Sequence, residues 1–389
     1  MNHFTYYKPT KVIYGPGEFS NLGKYAAMYG TRALLLQDVG PLEELGVYAK
    51  AQKSLEDAGL SVVVMKGITA NPKLTKIDEG IELARKEKID IIIAVGGGST
   101  IDTAKAIGLG VPYEGDVWDF FCYKAVPKAS IPIGVVSTIA GTGSETDNTA
   151  VVTNDRGEKH NKWESYCDLS LPKFAIMDPE LHITVPARLT APGMADSITH
   201  ACEAYMFDWT PAPFQDQYVE GIVKTIISCE DVLQQPDNIE LRGLLCWTSS
   251  LAIDGYGNLG RNRNPLCNWP AHFVQAGIGA VNDSRHGDGL AVLLPAVMEY
   301  ANKVNPCKTK RFAINVFGVD PTGKTDAEIG AEGIQRLRAL FIKWGLPHCL
   351  ADLGITKDKY AAVVENLLHH PHLGKMDETF IREILSYAE

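Results

Sequence analysis

The sequence predicts an α/β domain followed by an all-helical domain, and three observations support this division. Between about residues 31 and 180, short apolar and β-branched runs alternate with helical patterns, which is typical of a parallel sheet flanked by helices. From residue 189 onward the chain has helical periodicity almost without a strand candidate. The boundary near residues 186–189 lacks the composition of a flexible linker. We therefore expect domains over residues 1–187 and 188–389, packed tightly with a cleft between them.

The individual elements follow in order along the chain. Strands are predicted in the runs RALLLQD, LSVVVMKG, IDIIIAVGG, ASIPIGVVST and PKFAIMD, of which the last two are apolar on both faces, as buried parallel strands are. Helices over residues 47–58 and 77–88 separate the first three runs. In the second domain, helices are expected over residues 190–207, 215–234, 239–254, 269–280 and 290–303, with others toward the C-terminus.

Length, charge and hydropathy exclude several classes of protein. A chain of 389 residues with 45% hydrophobic content is long enough to build two cores. Its net charge of −10 and its lack of any Lys/Arg block argue against nucleic-acid and membrane-surface partners. The N-terminal segment lacks a secretory pattern, and no window reaches the roughly 18 apolar residues of a membrane span. We therefore expect a cytoplasmic protein without nucleic-acid or membrane partners.

A glycine-rich turn follows the third predicted strand. The run IDIIIAVGGGSTIDTAKAIG passes from a strand through Gly96, Gly97, Gly98 and Ser99 into a helix from about Thr100. Such glycines let backbone N–H groups approach an anion, and the helix adds the positive end of its dipole. A pyrophosphate would fit. The spacing matches neither GxGxxG nor the GxxxxGK[ST] loop, so a plain strand-to-helix turn stays the alternative.

Two further segments suit a nucleotide. The loop STIAGTGSETDNTAVVT follows a buried strand and offers small hydrogen-bonding groups at Thr138, Thr142, Gly143 and Ser144. The first predicted strand ends in Asp38, whose carboxylate could accept hydrogen bonds from the ribose hydroxyls and would repel a 2′-phosphate. These features predict a Rossmann-like nucleotide-binding domain that uses NAD(H) rather than NADP(H). The alternative for Asp38 is a turn or helix-capping aspartate.

Acidic and imidazole side chains recur in the predicted helical domain. The stretch MADSITHACEAY places Asp196 one helical turn before His200, with Glu203 further along the same face. His272 lies in NWPAHFVQAGIGA, and His286 lies in NDSRHGDGLAVLLPAVMEY. One carboxylate and three imidazoles would suit Fe²⁺ or Zn²⁺ with a position open for a substrate oxygen. The alternatives are a solvated helix face for the first pair and a satisfied core histidine at position 272.

The run HHPH at residues 369–372 is an alternative candidate for a metal site, because it contains three histidines. It flanks a proline near the C-terminus and lacks a nearby acid. We expect a surface turn there.

Several motifs together resemble one family. In order, GGGSTIDTAKAI, TIAGTGSETDNTAVVT, PKFAIMDPEL, GMADSITHACEAY and the segment ending HGDGLAVLLPAVMEYA resemble the iron-containing (group III) alcohol dehydrogenases over nearly the whole chain. The runs GDVWDFF and KRFAINVFGV resemble the butanol dehydrogenase branch. The resemblance implies a dehydroquinate synthase-like fold, in which a Rossmann-like nucleotide-binding domain precedes an all-helical metal-binding domain.

The resemblance also implies site residues. The metal would be held by the residues that are also expected to be catalytic, namely Asp196, His200, His272 and His286, with Glu203 outside this ligand shell. The coenzyme would lie against Asp38, Asn71, Gly97, Gly98, Ser99, Asp102, Thr138, Thr142 and Lys162, beside Ser144 of the second loop.

Two positions depart from the family pattern. Members often carry a histidine four residues after the ligand that matches His272, whereas this chain has Ala276, which carries no group that could relay a proton there. The butanol branch commonly ends its first strand in glycines suited to NADP, whereas this chain has QDVG, which favours NAD.

These features predict a metal-dependent, NAD(H)-linked alcohol dehydrogenase or aldehyde reductase for small primary alcohols or aldehydes. The metal would act as a Lewis acid on the substrate oxygen while hydride passes to or from the nicotinamide. We also expect a homo-oligomer, with a dimer as the first choice. The residues leave iron or zinc, and the identity of the alcohol, open.

Two other classes are alternatives. A metal- and NAD-dependent lyase or cyclase of the dehydroquinate synthase type would need clustered cations for a phosphorylated substrate, for which the helical half offers Arg261, Arg263 and Arg285. The apolar residues Trp269, Pro270 and Phe273 beside the ligand position 272 favour a small apolar alcohol instead. A catalytically silent binding or assembly protein would bind neither metal nor coenzyme.

Overall fold

The computed structural model describes residues 2–157, 160–261, 269–371 and 376–389. Within those ranges, no helix combines the length and the apolar character needed to cross a membrane. The chain forms two compact units. The sheet unit comprises Tyr7–Thr184 and Asp237–Ser250, and the helical unit comprises Met1–Tyr6, Val185–Pro236 and Leu251–Glu389.

Six parallel strands form the centre of the sheet unit, as the alternation of strands and helices predicts. They are β1 (Lys11–Tyr14), β2 (Arg32–Asp38), β3 (Ser61–Ile68), β4 (Ile91–Gly96), β5 (Ile133–Ser137) and β8 (Phe174–Met177). Their order across the sheet is β1-β8-β5-β4-β2-β3. The helices of this unit are α1 (Leu22–Ala26), α2 (Val47–Asp57), α3 (Leu74–Lys86), α4 (Gly98–Gly110), α5 (Trp118–Phe121) and most of α8 (Ile239–Ala252).

Both faces of this sheet are buried, which explains why its central strands are apolar throughout. Along β4, Ile92 and Ala94 belong to one core with side chains of α3 and α4. Ile91, Ile93 and Val95 belong to a second core with side chains of α1 and α2. Because successive side chains of a strand point to opposite faces, a strand covered on both sides must be apolar at every position.

The chain reverses its direction of travel across the sheet between β2 and β4. From β2 the chain crosses outward to β3 and then returns past β2 to β4, from which it continues to β5. A crevice at the carboxyl ends of the strands is the usual ligand position at such a switch point. The predicted Asp38 and the glycine turn therefore end the two strands that border it.

Three strands were not predicted. β1 is a short edge strand in which Ile13 alone is buried, so its four residues carry little pattern. The other two, β6 (Thr149–Asn154) and β7 (Asn161–Tyr166), form a separate antiparallel hairpin. Their polar composition resembles a loop, although Thr153 and Lys162 within them are buried.

The helical unit contains eight α-helices in its described residues and no strand. They are α6 (Ala187–Phe207), α7 (Pro213–Ser228), α9 (Pro270–Asn282), α10 (His286–Val304), α11 (Cys307–Phe317), α12 (Asp326–Lys343), α13 (Tyr360–Leu368) and α14 (Glu378–Tyr387). An α/β fold followed by helices is thus confirmed as the fold class. α6 is buried on nearly all sides, which is why its sequence alternates small and apolar residues with few exposed polar ones.

Helix α8 groups with the sheet unit although it follows α6 and α7 in the chain. Its Ser250 hydroxyl lies 2.9 Å from the Thr146 hydroxyl, and its Cys246 sulfur lies 3.7 Å from His182 Nε2. Periodicity cannot reveal which unit a helix joins. The domain boundary at residues 187/188 stays a prediction. The two compact units differ from it by the segment Asp237–Ser250, by the first six residues and by a division at 184/185.

Candidate metal centre and nucleotide site

Four predicted ligands come together within the helical unit, on three of its helices. We call them the ligand cluster: Asp196 and His200 on α6, His272 on α9 and His286 on α10. Asp196 Oδ1 lies 3.5 Å from His200 Nε2, 3.5 Å from His272 Nε2 and 3.8 Å from His286 Nε2. Three imidazole nitrogens thus converge on one carboxylate oxygen.

The ligand atoms of Asp196, His200 and His272 lie close enough together to bind one metal ion, all within 4.8 Å of one another, whereas His286 Nε2, 3.8 Å from Asp196 Oδ1, lies outside this closest group. Metal–ligand bonds of 2.0–2.1 Å put neighbouring ligand atoms of a tetrahedron about 3.4 Å apart. Among the described residues, neither Asp196 Oδ1 nor His272 Nε2 has a hydrogen-bond partner, although both atoms are buried. Neighbouring polar side chains of α6 are satisfied within the helix, since Ser197 and Thr199 donate to carbonyls four residues back. Buried polar atoms without partners are costly, so these two atoms are best explained by a cation.

Two neighbouring side chains orient the imidazoles. Glu203 Oε2 accepts a hydrogen bond of 2.5 Å from His272 Nδ1, while Oε1 accepts from the backbone N–H groups of Ala271 and His272. Gln275 Oε1 accepts a hydrogen bond of 2.7 Å from His286 Nδ1. Each bond places a proton on Nδ1 and leaves the Nε2 lone pair facing the centre of the cluster.

Electrostatic coupling within the cluster is strong. Burial alone would raise the pKa of Asp196, but the imidazoles around it, His200 foremost, hold that pKa well below its usual range. Burial would lower the pKa of His272, but Glu203 and Asp196 raise it to about 9. The carboxylate is therefore anionic at neutral pH, and a cation would displace the proton from His272 on binding.

Close contact between α6 and α10 sets the position of His286. A Cβ atom at Gly287 would lie 2.2 Å from the Pro192 carbonyl oxygen, so no side chain fits there. Pro192 cannot donate a backbone hydrogen bond to the carbonyl of Arg188. Arg285, just before α10, donates to that carbonyl at 3.0 Å instead.

Other histidines lie away from the ligand cluster. His348, Cys349 and Asp352 also lie close together, but at the surface, where His348 Nδ1 and Asp352 Oδ2 pair at 2.8 Å. In the HHPH run, His369 is exposed, whereas His370 is buried edge-on against Phe273, so the predicted surface turn is wrong for that residue. His372 lies outside the described residues.

In the sheet unit, three of the predicted coenzyme positions, namely Asp38, the glycine turn and Thr138, lie together at the carboxyl ends of the strands. A Cβ atom at Gly96 would lie 3.2 Å from Asp38 Oδ2, so the carboxylate faces the glycine turn. The helix after this turn begins at Gly98 rather than Thr100, with Gly97 as its N-cap. Thr138 follows β5, and its N–H donates to the Gly96 carbonyl at 3.2 Å.

The two predicted loops pack directly against each other. A Cβ atom would lie 2.7 Å from Ile139 Cγ2 at Gly97 and 2.7 Å from Thr142 at Gly98. Glycine is needed here because the backbone of one loop touches side chains of the other. The resulting surface exposes backbone at a helix N-terminus, where Ser99 also lies, and this arrangement suits a pyrophosphate.

Two other predicted coenzyme residues are engaged in an internal network. Asp102 accepts hydrogen bonds from Ser144 Oγ at 2.6 Å and from the Val151 N–H at 3.0 Å. The fully buried Lys105 donates to Ser144 Oγ and to Asp147. Loss of solvation raises the pKa of Asp102 to about 6, against the opposing effects of Lys105 and Ser144. These contacts anchor the second loop to α4.

The side chains of Asn71 and Lys162 are hydrogen-bonded to each other. Lys162 Nζ, on β7, donates to Asn71 Oδ1 at 2.9 Å. Asn71 has a φ of 54°, a left-handed conformation that asparagine tolerates better than most residues. The structure thus holds the Asn71 side chain at the loop that follows β3.

Two of the three cations named for the lyase or cyclase alternative, Arg261 and Arg285, are engaged in contacts within the described residues. Arg261 is buried and donates to Asp216 at 2.7 Å, where Lys308 also donates. Arg285 donates a hydrogen bond to the Arg188 carbonyl. Arg263 lies outside the described residues.

Sequence reasoning missed three residues that support these sites. Gln275 lies three residues after His272, a spacing that places both on one helix face and could have drawn attention to it. Lys105 lies in the helix that follows the glycine turn, and a lysine in such a helix would be predicted to face solvent. Tyr48, which contacts Asp38, lies ten residues after it, and no spacing rule links the two.

Comparison with known proteins agrees with this architecture. A family model described as iron-containing alcohol dehydrogenase matches residues 9–179, and one described as the C-terminal part of the Fe-containing alcohol dehydrogenase family matches residues 190–385. The chain is 34% identical to the probable NADH-dependent butanol dehydrogenase 1 of Bacillus subtilis, over 99% of this chain and 98% of that protein. It is 36% identical to NADH-dependent butanol dehydrogenase A of Clostridium acetobutylicum, over 92% and 91%.

A solved structure extends the agreement to three dimensions. The crystal structure of NADH-dependent butanol dehydrogenase A from Thermotoga maritima is similar with a TM-score of 0.93 at 33% identity, and it covers 100% of this chain and 99% of that one. Two family models that together span most of the chain, and relatives matched almost end to end, lead to one assignment. The chain belongs to the iron-containing alcohol dehydrogenase family and is similar to its butanol dehydrogenase branch.

Proposed function

We propose that this protein interconverts small primary alcohols and aldehydes, with NAD(H) as the hydride carrier and one divalent metal ion in the ligand cluster. It is an oxidoreductase that acts on CH–OH donors, like the alcohol dehydrogenases of its family. One observation carries the proposal: three imidazole Nε2 atoms surround a buried carboxylate oxygen that no described residue hydrogen-bonds.

When bound, a divalent cation would supply Lewis-acid chemistry at the substrate C–O bond. Several residues of the chain would assist this Lewis-acid chemistry. Asp196 is the one anionic ligand, so a divalent ion would keep net positive charge. Glu203 and Gln275 fix the ring orientations of His272 and His286. Ala276 has no group for proton relay, so that step would need another donor.

The surroundings of the ligand cluster favour a small apolar substrate. The Trp269 ring lies edge-on to the rings of His200 and His272, at centroid distances of 5.7 and 5.2 Å. Phe273 packs against His370 instead. An indole beside two ligands offers apolar surface to a short alkyl chain rather than charge to a phosphate.

Coenzyme choice rests on Asp38. Its carboxylate at the switch point would accept hydrogen bonds from ribose and would repel a 2′-phosphate. The names of the relatives from B. subtilis and C. acetobutylicum specify NADH dependence, which agrees with this choice. We propose that the coenzyme lies against Asp38, the glycine turn and the loop at Thr138 to Ser144.

Other properties extend the proposal. Iron is the first candidate for the metal because the family is named for it, and zinc is the alternative that His and Asp also suit. We propose a cytoplasmic homo-oligomer, with a dimer as the simplest form. The paired state of Arg261 and Arg285 argues against the lyase or cyclase alternative.

The test is metal analysis of protein purified without oxygen, followed by NADH oxidation with a panel of short aldehydes. We expect about one ion per chain in the wild type, and loss of most metal and activity in Asp196→Asn and in His286→Ala, with unchanged circular dichroism. His369→Ala, in the HHPH run, is the control and should keep both. Full occupancy and normal turnover in either ligand variant would refute the site.

A further inference from the structure

Tyr48 makes a two-way hydrogen bond with Asp38. Its buried hydroxyl donates to Asp38 Oδ1 at 2.8 Å and accepts from the Asp38 N–H at 2.8 Å. The N–H of Gly40 also donates to Oδ1, at 2.9 Å. Burial, and then the Asp38 carboxylate, raise the pKa of Tyr48, so the phenol keeps its proton at neutral pH.

These bonds make the two carboxylate oxygens unequal. Oδ1 already accepts two hydrogen bonds, about as many as one carboxylate oxygen accepts. Oδ2 accepts none from the described residues and faces the glycine turn. A ligand in the crevice would therefore meet Oδ2.

We propose that Tyr48 is a positioning residue for coenzyme specificity, because it holds Asp38 so that Oδ2 alone is presented to the adenosine ribose. This inference rests on the proposed placement of NAD(H) at Asp38. A carboxylate that cannot turn away selects more sharply against a 2′-phosphate than a mobile one does, since rotation would relieve the repulsion.

Binding of the adenosine half of the coenzyme tests the proposal independently of turnover. Calorimetric dissociation constants for ADP-ribose and for its 2′-phosphorylated form would be measured on the metal-loaded protein. In Tyr48→Phe we expect ADP-ribose to bind about tenfold more weakly, because Asp38 would no longer be held in position to accept a hydrogen bond from the ribose. A hydrogen bond to a charged group contributes about that much. Binding of the phosphorylated form should stay the same or improve.

Matched variants separate specificity from structural damage. Tyr113→Phe removes another tyrosine–aspartate hydrogen bond of the sheet unit, to Asp119, and should change neither constant. In an Asp38→Gly background, Tyr48→Phe should have no further effect on the ratio of the two constants. Equal weakening of both ligands by Tyr48→Phe, or no weakening, would overturn the role of Tyr48.

Asp38 variants distinguish this failure from failure of the coenzyme placement. If Asp38→Gly leaves the ratio of the two dissociation constants unchanged, Asp38 does not contact the ribose. Both the placement of the coenzyme at Asp38 and the positioning role of Tyr48 are then refuted. In Asp38→Asn, the donors Tyr48 and Gly40 require the amide oxygen at the Oδ1 position, which turns the NH₂ group toward the ligand. We therefore expect Asp38→Asn to bind the 2′-phosphorylated form more tightly than Asp38→Gly does, and the reverse order would contradict the fixed orientation.

Discussion

Glu203 illustrates at the scale of one residue how a buried acid can orient an imidazole of the proposed metal site. It is fully buried, and its two oxygens serve the first turn of α9 and the Nδ1 atom of His272. The oxygen that accepts from Nδ1 favours the His272 tautomer that leaves Nε2 available.

Glu203→Gln should weaken metal binding by roughly 10–100-fold, because an amide NH₂ would face the proton on His272 Nδ1 and drive that proton to Nε2. Competition with a chelator of known affinity measures the loss. Glu299→Gln, which changes a carboxylate of α10 that binds Arg338, is the control and should leave the affinity unchanged. Wild-type affinity in Glu203→Gln would show that the carboxylate does not set the tautomer.

His182 should make stability depend on pH. Burial lowers the pKa of His182 to about 4, while its Nε2 contacts the Ser137 carbonyl at 3.0 Å. The unfolded chain binds this proton near pH 6.5, so the contribution to stability is complete above pH 6.5 and is lost as the pH falls toward 4. The loss amounts to about 3 kcal/mol.

Thermal unfolding of His182→Gln measures this contribution. The variant should lose less of its melting temperature than the wild type between pH 6.5 and 4.5, because glutamine can donate to Ser137 without a proton to gain. His369→Gln, at an exposed histidine, should behave as the wild type does. Parallel curves for His182→Gln and wild type would contradict a buried neutral imidazole.

At the scale of elements, the contact of α6 with α10 determines where His286 lies. Gly287→Ala would place a methyl group against the Pro192 carbonyl and push the helices apart. We expect it to lower metal affinity at least tenfold, since a displacement of about 1 Å exceeds the tolerance of a metal site. Gly221→Ala, where α7 leaves open space, is the control and should keep the metal. Equal affinities in the two variants would refute this account.

Elements could be predicted from sequence where a whole face or the whole element is buried. β4 and the adjacent strands were found because both of their faces are apolar, and α6 was found with its end at Phe207. The helix predicted to reach residue 234 ends at Ser228, because amphipathic periodicity continues through the short turn that follows. The hairpin of β6 and β7 was missed because its buried residues are largely polar.

The four proposed ligands and the neighbouring Glu203 were predicted from the sequence, and the structure brings them together, but Gln275 and Tyr48 were not predicted. The helical spacing of Asp196 and His200 is visible in sequence, and family motifs suggested the two other histidines. Whether the four residues meet depends on contacts between distant helices, such as Gly287 against Pro192, which no local pattern encodes. The role of Tyr48 could not be predicted for a similar reason, because a tyrosine in a predicted helix is interpreted as a core residue.

For the molecule as a whole, metal should add stability by mass action. An ion that binds only the folded state at 1,000 times its dissociation constant stabilises that state by about 4 kcal/mol. We expect chelation to lower the melting temperature and re-addition of Fe²⁺ or Zn²⁺ to restore it. Asp196→Asn should melt at the same temperature with and without added metal. A metal-induced shift that persists in that variant would place the stabilising ion elsewhere.

The long chain separation between ligands also has a kinetic consequence. Glu203 and His272 are in contact although they are 69 residues apart in the chain, and the ligand cluster draws on helices on both sides of that interval. Closing so long a loop is slow compared with forming a single helix. The complete set of ligands therefore arises only late in folding, when α6, α9 and α10 have docked. In a refolding experiment, the appearance of tight metal binding would mark the completion of the helical unit, after helix formation itself has finished.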